Sequence, residues 1–453
     1  MKIIIIGCGK VGITLAQELS DEGHDLVLID HNMTRLQQVP EELDSLCLPG
    51  NGASLKVQME AGVEEADILI AVTGSDELNL LCCLIAKKVG RCHTIARVRN
   101  PVYSDEIGFI KKSMGISMVI NPERTASREI ARLLQFPSAI QIDPFAKGRA
   151  QLLKFKVKQE FFVVGMSICK IRENFGGRLL VTSVERGDEV FIPNGDFVIE
   201  AGDAMSILAT PVEATRFFKN IGLKTHQVKD CMIIGGGKVA YYLAQELLRL
   251  KIRVRIVEKN MDRCEELSEL LPNAIILNGD GTDKNLLMEE GLRKCESFVA
   301  LTDVDEENIL LSLYAKDQSD AKLITKVNRI AFDEIIEDLE LGSVIYPKFL
   351  TADYILRYVR GMSNSAETSN VETLYKILDN RAEALEFAVR EKSEATGQFL
   401  MDLNLKDNTL IGCIHRNGKI IIPGGNDSIE VGDSVVVITK HRGFTKLNDI
   451  LER

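Results

Sequence analysis

Three glycines, Gly7, Gly9 and Gly12, stand at G-x-G-x-x-G spacing directly after the apolar run 3–6. Glycine here permits a tight turn and lets backbone N–H groups approach an anion at the positive end of a following helix. The pattern is short enough to recur by chance, so its surroundings decide its meaning. A helical stretch over 11–19 follows it, and an acid, Asp30, ends the next apolar run, 26–29. Asp30 lies 18 residues beyond Gly12, close to the spacing at which a carboxylate receives ribose hydroxyls. Such a carboxylate repels a 2′-phosphate, which favours NAD or an adenosine nucleotide over NADP. Gly7, Cys8, Gly9, Lys10, Val11, Gly12 and Asp30 therefore read as one nucleotide site, against the alternative of a purely structural glycine turn.

The set occurs twice. Gly235, Gly236, Gly237, Lys238, Val239 and Ala240 repeat residues 7–12 at a distance of 228, and Glu258 repeats Asp30 at the same distance. Alanine as the third small residue is compatible with helix–strand packing, and Glu258 offers the same chemistry with a longer reach. At 229, Gly50-Asn51-Gly52 falls on Gly279-Asp280-Gly281, Ala71-Val72-Thr73 on Ala300-Leu301-Thr302, Asn79 on Asn308, and Ala96-Arg97-Val98 on Thr325-Lys326-Val327. At 230, Ile192-Pro193-Asn194-Gly195 falls on Ile422-Pro423-Gly424-Gly425, and Ala201-Gly202-Asp203 on Val431-Gly432-Asp433. So small a drift marks one duplicated two-part module, because solenoid periods are only about 20–50 residues.

The copies differ where a ligand would pass. Arg97 and Arg99 share a strand face, because side chains there repeat every second residue. Two guanidiniums at a sheet's carboxyl edge form either a phosphate clamp or a solvated basic rim. Their equivalents are Lys326 and Asn328, so one charge is lost. Gly74 becomes Asp303, whose carboxylate either repels a polyphosphate or faces solvent. This asymmetry predicts unequal ligands or unequal affinities.

The elements that position these residues follow from the apolar pattern. The runs 3–6, 26–29, 68–72 and 94–98 are continuous rather than alternating and are separated by helical stretches. That implies parallel strands covered on both faces. Asn121 can cap a further helix with Pro122 at its first position, and Tyr346-Pro347 begins the counterpart. Beyond Pro137, and again beyond about Asn370, short strands alternate with Gly/Asp turns, as at 181–184, 190–192 and 205–208. The expected fold is α/β, with two tandem Rossmann-like, doubly wound parallel-sheet domains, each followed by a small α+β domain. The expected limits are 1–136, 137–225, 226–364 and 365–453, with the polar stretch 362–370 the loosest connection.

Composition narrows the class. The 453 residues carry 55 Lys+Arg against 66 Asp+Glu, a formal charge of −11, and no Trp. Bulk nucleic-acid binding needs concentrated positive charge and stacking aromatics, and a net negative chain with 6% aromatics argues against it, although a small basic site stays open. No apolar stretch approaches the length of a membrane span. The opening run is too short for a signal peptide and reads as a buried strand. Ten cysteines without a C-x-x-C read as buried free thiols in a reducing cytoplasm, and no metal site is expected.

The duplicated fingerprint, with residues 2–12, Gly-Asn-Gly at 50–52, Ala-Val-Thr-Gly at 71–74 and Ala-Arg-Val-Arg at 96–99, resembles the TrkA family of potassium-uptake regulators. Chains of that family pair two "regulator of K⁺ conductance" modules, and the resemblance covers nearly the whole sequence. It implies a cytoplasmic regulatory subunit, held at the inner face of the cell membrane by a Trk-type potassium transporter. It implies assembly as a ring of about four chains, partly through the helices after Asn121 and Tyr346. It also implies that NAD(H) and ATP/ADP shift the ring between conformations. The nucleotide positions it assigns are Gly7 to Val11, Asp30, Thr73, Gly74 and Arg97 in the first copy, and Gly235 to Val239, Glu258 and Thr302 in the second.

The competing class is an NAD-dependent oxidoreductase, which the glycine loop alone does not exclude. Such an enzyme needs a proton donor beside the nicotinamide. No tyrosine has a lysine four residues later. Of the six histidines, His24, His31, His93, His226, His415 and His441, only His93 is expected near the ligand edge. A redox-sensing repressor would need a basic recognition helix, and none is apparent. No catalytic residue is expected.

Overall fold

The computed structural model describes residues 1–452 apart from 41–42, 105, 137–138, 188, 224–226, 329–335, 337–338, 340, 364–370 and 378–380. The expected limits at 137, 225 and 365, His226 and most of the loose connection lie outside the described residues.

Strands β1 (Lys2–Ile6), β2 (Asp25–Asp30), β3 (Ser45–Pro49), β4 (Ile68–Ala71), β5 (His93–Arg97) and β6 (Met118–Ile120) form a parallel sheet ordered β3-β2-β1-β4-β5-β6. Helices α1 (Lys10–Asp21), α2 (Met33–Gln37), α3 (Leu55–Glu60), α4 (Asp76–Val89), α5 (Pro101–Ser104), α6 (Ile107–Met114) and α7 (Pro122–Gln135) connect the strands and follow the last. The four continuous apolar runs became β1, β2, β4 and β5, and Ile3 to Ile6 are buried. Strands β3 and β6 were not legible as runs: Leu46 of β3 is exposed, and β6 has only three residues. The strand order reverses between β1 and β4, so the loops after them flank a crevice at the carboxyl edge.

A small antiparallel sheet follows, built from β7 (Gln141–Phe145), β8 (Ala150–Lys156), β9 (Leu179–Arg186), β10 (Glu189–Phe191) and β11 (Ala204–Ala209) in the order β10-β9-β11-β8-β7. It carries α8 (Ile168–Asn174) and α9 (Pro211–Asn220).

The second copy repeats both. Strands β12 (Asp230–Ile234), β13 (Arg253–Glu258), β14 (Ile275–Asn278), β15 (Ser297–Ala300), β16 (Lys322–Lys326) and β17 (Ser343–Ile345) form a parallel sheet ordered β14-β13-β12-β15-β16-β17. Its helices include α10 (Lys238–Arg249), α11 (Met261–Leu270), α12 (Lys284–Glu289), α13 (Asp305–Gln318) and α14 (Pro347–Ser363). The last sheet, β18 (Val371–Ile377), β19 (Ala382–Ala388), β20 (Thr409–Arg416), β21 (Lys419–Ile421) and β22 (Ser434–Thr439), is ordered β18-β19-β22-β20-β21 and so repeats the first small sheet.

Compactness groups like with like rather than by module. One unit is Met1–Ile130 with Asp230–Val359, and the other is Ala131–Lys229 with Arg360–Arg453. Inside the first, Asn121 at the start of α7 donates through Nδ2 to the Tyr242 hydroxyl on α10 at 3.1 Å, and Arg128 faces Glu246 at 4.0 Å. The helix that the family resemblance assigns to ring assembly is thus engaged within the chain. Inside the second unit, Phe145, Leu152 and Leu208 share a core with Ala384, Cys413, Val436 and Ile438.

The turn pair at Asp203 and Asp433 has a structural use that the repeat did not disclose. Arg186 donates from Nε and from its terminal nitrogen to the two oxygens of Asp203 at 2.8 and 2.9 Å, and Glu200 N donates to the same carboxylate at 2.8 Å. Arg416, Asp433 and Glu430 repeat the arrangement. Asp203 is buried, while Arg186 is a third exposed. Removing one partner of a fully buried pair costs about 3–5 kcal/mol, and solvent at Arg186 screens part of that. Asp203→Ala is expected to destabilise its sheet by roughly 2–3 kcal/mol. Denaturant unfolding followed by circular dichroism checks this, and an unchanged midpoint would show the fork to be ornamental.

Candidate functional site

Each glycine loop lies between a buried strand and a helix, β1 and α1 in the first copy and β12 and α10 in the second. Gly7 and Gly235 adopt φ of +105° and +96°, which a side chain resists. Helices α1 and α10 begin at Gly9 and Gly237 with no side-chain cap and no acid in the first turn. Helix α4, by contrast, is capped by Ser75 and opens with Asp76 and Glu77. The first N–H groups of α1 and α10 are thereby left for an external anion, with the positive helix end behind them. Lys10 and Lys238 open the two helices, followed by Val11 and Val239.

The acids reach back to these loops. Asp30 is buried and accepts from Cys8 N at 2.8 Å and from Asn32 N at 2.9 Å, one bond to each oxygen. Glu258 does the same with Gly236 N at 2.6 Å and Asn260 N at 2.7 Å. Each acid therefore sets the loop's shape before any ligand arrives, and each oxygen retains acceptor capacity for a hydroxyl. Burial pushes the Cys8 thiol up to about 12, and the Asp30 charge adds to the rise. The thiol stays protonated, and the part Cys8 plays in the site is its N–H.

Across the crevice, Thr73 and Thr302 are held by a buried asparagine. Asn79 Oδ1 accepts from Thr73 N at 2.8 Å and from the Thr73 hydroxyl at 2.7 Å, and its Nδ2 donates to Arg97 O at 2.9 Å. Asn308 accepts from Thr302 N at 2.8 Å and donates to Lys326 O at 3.0 Å. This staple joins the ends of neighbouring strands and was not among the expected site residues. Its signal was present, because asparagine recurs at 229 at the same place in two helices, directly before an apolar stretch.

The two arginines part company. Arg97 donates to Thr73 O, and its Nε is buried with no partner. Burial, and then the adjacent Arg99 charge, lower its proton affinity. Arg99 instead pairs with Glu123 of α7 at 2.5 Å. Arg97 thus keeps one buried donor, Nε, without a partner at the end of β5, and Gly74, next to Thr73, has open space on its side-chain face. An adenine nucleotide or dinucleotide fits this first set: an uncapped helix start, an acid on the ribose side and, opposite, a guanidinium with one of its donors unpaired. In the second copy Lys326 takes Arg97's place, is buried, and pairs with Asp303 at 3.3 Å, while the Asp303 side chain is fully exposed.

His93 is displaced from expectation. It starts β5, at the edge opposite the glycine loop, and meets the Tyr358 hydroxyl of α14 at 3.1 Å. Among the described residues no three His, Cys, Asp or Glu side chains are placed to hold a metal, and no helix is long and apolar enough to cross a membrane.

Comparison with known proteins agrees with this architecture. The TrkA-N domain model matches residues 3–122 and 231–347, and the TrkA-C domain model matches 163–222 and 384–452. The Trk system potassium uptake protein TrkA homolog 1 of Methanosarcina mazei is 33% identical over 447 residues, covering 97% of each chain. The Trk system potassium uptake protein TrkA of Halomonas elongata is 33% identical, covering 98% of this chain and 97% of its own. Among solved structures, the GsuK channel bound to NAD superposes with a TM-score of 0.61 at 17% identity, covering 97% of this chain and 76% of that one. At that identity the likeness concerns the fold.

Proposed function

The chain belongs to the TrkA family of Trk-system potassium uptake proteins, and from that premise we propose that it is a cytoplasmic regulatory subunit that gates a Trk-type membrane potassium transporter. Between them its two glycine-loop sites take NAD(H) and ATP or ADP, and about four chains close into a ring, held at the inner face of the membrane by the transporter. The observation that supports this best is the twice-built crevice, in which an uncapped helix start faces an acid already anchored to the loop. Ligand binding there engages a loop whose shape is already set on a buried sheet, which suits a sensor. In the first copy Gly7 to Gly12 and Asp30 hold the adenosine diphosphate half, and Thr73, Gly74 and Arg97 meet the distal half. In the second, Gly235 to Val239, Glu258 and Thr302 take the matching roles.

The oxidoreductase reading needs a proton donor beside the nicotinamide; the distal-side residues assigned above are Thr73, Gly74 and Arg97. Reconstitution decides between the two. Potassium flux through vesicles holding the partner transporter and this chain is expected to change when ATP replaces ADP or NADH replaces NAD. Flux indifferent to every nucleotide, or turnover of NADH with a carbonyl substrate, would overturn the proposal.

A further inference from the structure

The two crevices are not equally open to phosphate. In the first, Arg97 has a donor without a partner and Gly74 has open space on its side-chain face. In the second, the corresponding cation, Lys326, is already engaged: its Nζ donates to Leu301 O at 3.2 Å and pairs with Asp303 at 3.3 Å. Asp303 occupies the position of Gly74, one residue after Thr302, which the Asn308 staple holds at the crevice. Two more cations of the second copy are likewise committed. Lys259, beside Glu258, pairs with Asp280 at 2.7 Å, and the other Asp280 oxygen accepts from Thr282 N and Oγ1. Arg263 donates to Gly236 O at 2.7 Å and pairs with Glu266. The first copy has His31 and Asn51 where Lys259 and Asp280 stand.

We propose that Asp303 sets ligand class at the second site, which takes a dinucleotide with an uncharged or cationic distal half and rejects a nucleoside triphosphate. Rotation of one exposed side chain decides the outcome. A terminal phosphate entering beside Lys326 must displace the Asp303 carboxylate and then lie next to it, a like-charge contact that salt screens. A dinucleotide carries no terminal phosphate. Its pyrophosphate stays at the start of α10, and its distal ribose presents hydroxyls that the Asp303 carboxylate accepts. The first site has glycine with open space at this position and no carboxylate paired to Arg97, and it admits both ligand classes.

This inference rests on the nucleotide reading of both crevices, and calorimetric titration of the full-length chain separates the two. Asp303→Asn removes the charge at an exposed position and keeps the side chain's shape, so the fold is retained. Asp30→Ala in the same chain weakens the first site so that the second is read alone. The expected result is that Asp303→Asn strengthens ATP binding at the second site by roughly tenfold at low salt. NAD binding stays within about threefold, and the gain in ATP affinity shrinks as salt rises. Unchanged ATP affinity, an equal gain for both ligands, or a second site that binds neither ligand in either variant would overturn the proposal. A chain that binds no nucleotide in either half before any substitution would instead overturn the nucleotide reading, and this proposal with it.

Discussion

Asp30→Ala is expected to weaken binding of both NAD(H) and ATP in the first half by tenfold or more, measured by titration of the full-length chain. Two losses combine. The carboxylate holds Cys8 N and Asn32 N at 2.8 and 2.9 Å, so its removal loosens the loop that must meet the pyrophosphate. It also withdraws the acceptor for the ribose hydroxyls. Hydrogen bonds to a charged group are worth roughly 1.5–3 kcal/mol each, and about 1.4 kcal/mol is a factor of ten in affinity. Both ligands present the same ribose, so both should lose alike. Arg97→Ala works at the other end and should fall more heavily on ATP, with an effect that fades as salt rises. Equal losses for both ligands in both variants would mean that the two residues merely support the fold.

The second large effect separates folding from binding within one loop. At Gly9 an added Cβ meets nothing within 4 Å. Gly9→Ala should fold normally and lose nucleotide binding, since its methyl stands where the phosphate approaches the helix start. At Gly12 the same atom would lie 1.9 Å from Gly7 O, a backbone contact that cannot rotate away. Gly12→Ala should therefore destabilise the first parallel sheet by about 1–3 kcal/mol, the usual cost of overpacking. The second copy carries Ala240 buried at this position, so loop and helix there already stand far enough apart for a methyl group. Thermal unfolding and nucleotide titration of both variants check the pair. A Gly12→Ala chain as stable as its parent would show that the first loop relaxes freely to the geometry of the second.

Local pattern was enough for much of this molecule. Continuous apolar runs specify parallel strands buried on both faces, and each of the four runs became one. The glycine spacing, the acids at the ends of β2 and β13 and the repeat near 229 placed two like sites at two like sheet edges. These features are legible because periodicity and turn chemistry act over a few residues, and because duplication writes them twice. Long-range pairing decided the rest. Alternation along a strand makes Arg97 and Arg99 look equivalent, yet β5 ends at Arg97, and Glu123 of α7 takes the Arg99 guanidinium. Sequence position alone suggests the ligand edge for His93, but strand direction puts it at the other end of β5. Asp30 and Glu258 were read as waiting for a ribose, and each is first bound to its own loop, 22 residues away. The parallel sheets also share a unit with each other rather than with their own small domains. A linear pattern records which residues must be buried. Which of them meet is set only when apolar faces from distant segments find partners, and polar side chains carried along must then satisfy one another.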